Sequence, residues 1–461
     1  MNKILFWEMS DINARFLKIL SGLCAAVIVL SSLSACAPKP ESVFKAEADQ
    51  WFSDYEGAQA ALKPEKIYEY NEKGSVAVSK PKVSAVDADT AISEYYDTLK
   101  NEFRLRAQTE QDKLLVSYKS YKASDDITGV EILYSQVLGG VQSSDIRTFN
   151  FDKNGLLKVD DVLQRLTMIN AKEILLANEQ YGTAIDKEKL NESRDYQLLF
   201  TESGISVIYA GGTVAPESAG ELRADVPYVR VRYALPESIK QNVPEDNSVR
   251  TVDITKKLVA LTFDDGPNRK YTNEILDTLE AYDSVATFFE VGNVIPNAPE
   301  AMKRAAELGC EIGSHSYTHK NLQTASVERI KEEIEKTDAK FEEVLGCKPT
   351  MLRPPYGAVG SKLRENCDEY LIGWSVDTED WKYRDKDKVV ASVKNEGDLD
   401  GDVILMHSLY ESTADAVKEL VPWLIENGYQ LVTVSELMKY RYETELETGK
   451  YYSGSWFDSN K

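Results

Sequence analysis

From Lys257 onward the chain alternates short apolar runs with amphipathic helical ones, and few architectures accept that rhythm for long. "LVALTF" precedes "TNEILDTLEAY", "VATFFEVG" precedes "PEAMKRAAELG", and "CEIGSHS" precedes "SVERIKEEIEKTDAKFEEVLG". The pattern continues through "TMLRPPYG", "SKLRENCDEY", "LIGWSVD", "KDKVVASVKN", "DVILMHS", "TADAVKELVPWLIENG" and "YQLVTVSEL". Repeated strand–helix units predict a parallel sheet, because each helix carries the chain back to start the next strand in the same direction. The fold class expected over 258–440 is therefore α/β, a distorted (β/α) barrel, closed or nearly so. Folds of this kind carry their chemistry at the C-terminal ends of the strands.

Upstream the pattern differs. Residues 36–65 read as a tether with an acidic helical stretch. Residues 66–240 read as an α+β domain: a helix at "DADTAISEYYDTLKNEFRLRAQ" and strands at "KLLVSYKSYK", "GVEILYSQVLGG", "SDIRTFNFD", "GISVIYAGG" and "VPYVRVRYAL". The succession "RTFNFDKNGLLKVDDVL", "ESGISVIYAGG" and "ADVPYVRVRYAL" resembles the RsiV-like extracellular domain that accompanies some cell-wall deacetylases. That region has no histidine and no catalytic carboxylate cluster, so a binding or spacing role is expected. "LPESIKQNVPEDNSVRTVDITKK" is polar with two prolines and puts a linker at 241–257. The Tyr-rich tail, 441–461, can pack back on the barrel or stack on sugar rings.

At the N-terminus, Arg15 and Lys18 precede an apolar heart, "LCAAVIVL", and the run ends Leu33-Ser34-Ala35-Cys36. This is the layout of an export signal, residues 1–35. Its end resembles the bacterial lipobox, which implies cleavage before Cys36 and a lipid on its sulfur. An uncleaved membrane anchor is the rival, since such a run can just span a bilayer. Both place the rest of the chain at the extracellular face of a bacterial cell membrane, anchored to it. A net charge of -22 argues against nucleic acid or an anionic membrane surface as the main partner. Cys310, Cys347 and Cys367 have no CxxC spacing, so they read as buried structural thiols rather than a disulfide framework or a thiolate zinc site.

Polar residues interrupt the barrel strands where they end. Asp264-Asp265-Gly266-Pro267 follows "LVALTF", His315 and His319 follow "CEIG", and Arg353-Pro354-Pro355-Tyr356-Gly357 follows "TML". Asp377 and Asp380-Trp381 follow "LIGWSV", and Met406-His407 follows "DVIL". The chain has only three histidines, and all are here. A single insertion of this kind is an ordinary turn or a satisfied core histidine. Five in succession shorten the core repeatedly, which points to function. The i, i+4 spacing of His315 and His319 is a common way to present two nitrogens to a metal from one helical face.

"LTFDDGP", "HSYTH", "RPPYG", "DTEDW" and "LMH" match, in order, the five motifs of the polysaccharide deacetylases, also called carbohydrate esterase family 4 or the NodB-homology domain. The resemblance implies that Asp265, His315 and His319 hold a metal, and one carboxylate with two imidazoles suits Zn²⁺ or another divalent transition metal such as Co²⁺. It implies that Asp264 is the base, that Arg353 pairs with it, and that the Tyr356 backbone N–H stabilises an oxyanion. His407 would be the acid that protonates the departing amine, with Asp380 holding it protonated. Trp381 and Leu405 would line an apolar pocket for the acetyl methyl. Asp377 is open between a supporting or substrate contact and a capped strand end.

The expected activity is removal of the N-acetyl group from N-acetylglucosamine residues of peptidoglycan, with no obligate protein partner. Chitin oligomers, another surface polysaccharide and acetylated xylan are the alternative substrates. A cell-wall binding or sensing protein with an inactive barrel is the alternative of another class, and the intact set of acidic and imidazole residues argues against it.

Overall fold

The computed structural model describes residues 39–56, 61–243 and 250–460. The expected export segment, Cys36 and part of the expected linker lie outside them. No helix among the described residues is long and apolar enough to cross a membrane.

The chain divides into two compact units, one of residues up to Val83 with 90–119 and 132–146, the other of 84–89, 120–131 and 147–461. These units fall differently from boundaries drawn on composition, because strands that read as parts of one domain run through the divisions. Helix α1 (Pro40–Glu56) lies where a tether was expected. In the first unit its Phe44, Ala48 and Phe52 pack on Ala77 and Leu115, an apolar face buried every third or fourth residue. Strands β1 (Pro64–Glu69), β2 (Ser75–Pro81), β3 (Lys113–Lys122), β4 (Thr128–Leu138), β5 (Val141–Asp152) and β6 (Gly155–Leu156) follow one another in a single sheet, with helix α2 (Val86–Arg106) between β2 and β3.

In the second unit, helix α3 (Asp161–Leu176) starts at Asp160, whose side chain accepts the Leu163 N–H at 2.8 Å. Its apolar face shares a core with the antiparallel strands β7 (Gln197–Phe200), β8 (Gly204–Tyr209) and β9 (Leu222–Pro227). The strand expected over "VPYVRVRYAL" stops at Pro227, which pairs with Gly204, the first residue of β8. With no partner strand beyond that point, Tyr228–Val231 turns into a short helix that buries Tyr228 and Val231.

Nine parallel strands build the barrel: β10 (Lys257–Gly266), β11 (Thr287–Glu290), β12 (Glu311–Ser314), β13 (Met351–Leu352), β14 (Tyr370–Ile372), β15 (Val376–Asp377), β16 (Val403–His407), β17 (Tyr429–Leu431) and β18 (Tyr451–Tyr452). Their order is β15-β16-β10-β11-β12-β13-β14-β18, with β17 on β10. β14 and β15 stand near opposite ends of this order yet are separated in the chain only by residues 373–375. The sheet is therefore curled almost shut, and "LIGWSVD", expected as one strand, is broken where the barrel fails to close. Leu258 to Phe263 are all buried, as a strand covered on both faces requires. Helices α4 (Tyr271–Ala281), α5 (Pro299–Glu307), α6 (Val327–Leu345), α7 (Lys386–Lys394) and α8 (Glu411–Glu426) surround it. Leu276, Leu279, Val390, Val417 and Leu420 pack with Val259, Phe263, Phe288 and Ile404.

The Tyr-rich tail folds back. β18 pairs with β14, and Tyr452, Trp456 and Phe457 join a core with Met351, Ile372 and Met438. Among the cysteines, Cys310 and Cys367 are buried and Cys347 is exposed, which corrects the expectation of three buried thiols. Cys347 directly follows the left-handed Gly346 that ends α6, so the chain is already leaving the core there. Phe457→Ala should destabilise the barrel by about 3–5 kcal/mol through the cavity it leaves. The check is the thermal midpoint, which should drop by several degrees; an unchanged midpoint would mean the tail does not hold the barrel.

Candidate active site

The C-terminal ends of β10, β11, β12, β13 and β16 converge, and the polar insertions meet there. Successive residues of a strand normally face opposite ways. Asp264 and Asp265 escape that rule because the β10–β11 register slips between Asp264 and Gly266, with Asp265 at φ 70°. Both carboxylates thus reach the same end of the barrel.

His315 and His319 do not share a helix. They bracket a loop after β12, in which Ser316 and His319 have φ of 62° and 54°. The i, i+4 spacing is met by a tight loop instead, fastened from two sides. The His319 N–H donates to Ser316 Oγ at 3.1 Å, and the Thr318 N–H and hydroxyl donate to Glu333 at 2.7 and 2.6 Å. Glu333 is a buried residue of α6 that also takes the Arg329 guanidinium.

Asp265 Oδ1 lies 3.5 Å from His315 Nε2 and 3.2 Å from His319 Nε2, and it is buried with no hydrogen-bond partner among the described residues. His315 Nδ1 sits 2.6 Å from the Arg353 carbonyl, so donation from Nδ1 leaves Nε2 as the free lone pair. Burial pulls the His315 imidazole below its ordinary value, against the pull of the Asp264 and Asp265 charges, which favours the neutral ring a cation needs. An unsatisfied carboxylate oxygen and two imidazole nitrogens within 4.8 Å of one another fit a divalent transition metal.

Asp264 stands beside this set. Arg353 is wholly buried, and one of its nitrogens donates to Asp264 Oδ1 at 2.8 Å and to Thr262 Oγ1 at 2.7 Å. Its other terminal nitrogen donates to the Gly373 carbonyl at 2.7 Å, and the guanidinium lies 4.1 Å over the Phe289 ring. Asp264 Oδ2 is 3.6 Å from His315 Nε2.

Across the site, His407 ends β16. Its Nδ1 donates to Asp380 Oδ1 at 2.7 Å and its backbone N–H to Asp380 Oδ2 at 2.8 Å. Thr413 and the Trp381 N–H also donate to the buried Asp380 carboxylate, at 2.6 and 2.9 Å. Burial works to lower the His407 imidazole, but the bond and charge of Asp380, with the charges of Asp264 and Asp265, push it up to about 9. His407 Nε2 stays free, 4.0 Å from Asp265 Oδ2.

Tyr356 adopts φ 64° and is largely exposed, with His319 against its ring at 4.7 Å. Trp381 is 47% exposed and Leu405 4%. Asp377 accepts the Glu379 N–H at 2.8 Å, the capped strand end of the two open readings. Sequence reasoning missed Thr262, Glu290, Glu333, Ser408 and Thr413. Glu290 is buried at the end of β11, where burial and the charges of Asp264 and Asp265 push its carboxyl well above the carboxylate range. A glutamate closing the apolar run "TFFE" was the one visible sign of it.

The polysaccharide deacetylase pattern matches residues 251–370. The chain is 32% identical over 367 residues to the peptidoglycan-N-acetylmuramic acid deacetylase PdaC of Bacillus subtilis, which covers 74% of this chain and 78% of that protein. It is 39% identical over 258 residues to the peptidoglycan-N-acetylglucosamine deacetylase PgdA of Listeria monocytogenes, covering 56% of this chain and 53% of that one. The chain thus spans about half the length of PgdA. A solved structure of PdaC from Bacillus subtilis is 42% identical over 42% of this chain and 95% of its own, with a TM-score of 0.41. Identity of this extent to PdaC, with the family pattern lying on strands that carry the site, means that this chain belongs to the polysaccharide deacetylase family.

Proposed function

We propose that the protein is a divalent-metal-dependent peptidoglycan deacetylase that hydrolyses the acetamide of N-acetylglucosamine residues and releases acetate. The observation that supports this most is the placement of two hydrogen-bonded charge pairs, Asp264–Arg353 and His407–Asp380, on either side of Asp265, His315 and His319.

Asp265, His315 and His319 would hold the cation. When bound, it supplies Lewis-acid polarisation of the acetyl carbonyl and a water of lowered pKa. Asp264, oriented by the buried guanidinium of Arg353, takes the proton as water attacks the acetyl carbon. The Tyr356 backbone N–H, presented by the proline-stiffened loop 353–357, donates to the oxygen on which negative charge develops. Trp381 and Leu405 bound the space for the acetyl methyl. His407 Nε2 then protonates the nitrogen as the C–N bond breaks, so the amine leaves neutral. Asp380 orients the ring and holds its proton. Export to the outer face of the membrane, by lipid on Cys36 or an uncleaved anchor, belongs to the same proposal because it brings the enzyme to this polymer. The upstream region would bind the wall or space the barrel from the membrane.

One observation favours a second reading: PdaC, named for N-acetylmuramic acid, aligns with more of this chain than PgdA does. Purified protein should be incubated with intact peptidoglycan, which is then digested and analysed by mass spectrometry. Loss of an acetyl group from glucosamine supports the first reading, and the same loss from muramic acid alone supports the second. Acetate release from xylan only would exclude both.

His407 must be protonated to act, and its raised value keeps it so until about pH 9. Turnover should therefore fall as pH rises through that value. Asp380→Asn removes the charge that helps raise it and weakens the bond to a neutral one, so the alkaline limb should move down by about one pH unit. An unmoved limb would assign the acid to another group.

A further inference from the structure

Beneath the cation ligands lies a group of buried oxygens that the reaction as described does not use. Glu290, the last residue of β11, has no solvent exposure, and neither of its carboxyl oxygens has a hydrogen-bond partner among the described residues. The Ser408 hydroxyl, one residue past β16, is in the same condition. The two meet across Gly266: a Cβ there would fall 2.6 Å from Glu290 Oε2 and 2.5 Å from Ser408 Oγ. Any other residue would fill that gap, so the glycine keeps open a space between two oxygens that do not bond each other. Buried polar groups so arranged are normally satisfied by an internal water.

The position of this space gives it a consequence. Glu290 pairs with Gly266 in the β10–β11 ladder, immediately after Asp265 and the register slip that turns Asp265 toward the site. On its other side the Glu290 carbonyl accepts the His315 N–H at 2.8 Å. The end of β11 is thus wedged between two of the three residues that would hold the cation. Ser408 closes the group from the third strand, its N–H donating to the Asp264 carbonyl at 3.2 Å.

We propose that Glu290 and Ser408 hold an internal water by hydrogen bonding, and that this bridge fixes the end of β11 and so the spacing of Asp265 and His315 for cation binding. Both are positioning residues. The inference rests on the reading that Asp265, His315 and His319 bind a divalent cation.

The test is Zn²⁺ affinity of the full chain, measured by competition with a chromophoric chelator, together with thermal unfolding of the metal-free protein. Glu290→Leu removes hydrogen bonding at similar volume and should weaken Zn²⁺ binding by about tenfold or more. Its metal-free midpoint should stay close to that of the parent, since apolar contacts of similar volume offset the lost hydrogen bonds of a buried polar group. Glu290→Gln keeps hydrogen-bonding capacity and should stay within about threefold of the parent; Ser408→Ala should weaken binding severalfold. Equal affinity of the Leu variant and the parent would overturn the proposal. Equal losses in the Leu and Gln variants would overturn it too, by assigning the effect to charge. A parent chain that binds no Zn²⁺ would instead remove the cation reading beneath it.

Discussion

Arg353 places a positive charge where no solvent reaches it, and such a charge is costly unless a counter-charge and hydrogen bonds compensate it. Asp264 and Thr262 on β10 and the Gly373 carbonyl between β14 and β15 take up its two terminal nitrogens, and Phe289 supplies a ring face. The Arg353 carbonyl meanwhile fixes the His315 ring. One buried side chain and its own backbone thus tie Asp264, His315 and the seam between β14 and β15 into a single arrangement. Weakening it would disturb all three.

The second pair sets a buried carboxylate against an imidazole. Asp380 sits buried under four donors and puts its charge against the His407 ring, so a group near the top of β16 keeps a proton at neutral pH. Across the site a carboxylate faces a guanidinium that cannot give up a proton. Hydrolysis of an amide needs both a place for water's proton to go and a proton for the amine. In the proposed reaction the two ends of the site divide those tasks, with His407 standing apart from Asp265, His315 and His319.

Much of this was legible in the chain. Polar residues after apolar runs converge because parallel strands all end on one side, so order along the sequence becomes proximity in space. Local geometry was harder to read. Nothing in "FDDGP" reveals the register slip that puts Asp264 and Asp265 on one side, and the spacing of "HSYTH" suits a helix as well as the loop that forms. Glu333 reads as a solvent-facing residue of "VERIKEEIEK", and only the folded position of α6 turns it onto Thr318. The break in "LIGWSVD" and the use of the tail as β18 depend on how the barrel closes, which no local pattern encodes. Glu290 belongs to the same class, because its meaning comes from Ser408 and Gly266 on other segments.

In the proposed reaction the base is Asp264, separate from the residues that would hold the cation. Asp264→Asn tests it, because the change keeps the side chain's shape and leaves Asp265, His315 and His319 in place. Zn²⁺ affinity and the rate of amine release from peptidoglycan should be measured on the same preparation. The account predicts Zn²⁺ binding close to that of the parent and a rate lower by about 10²–10⁴-fold. A variant that binds Zn²⁺ and deacetylates at the parent rate would contradict it.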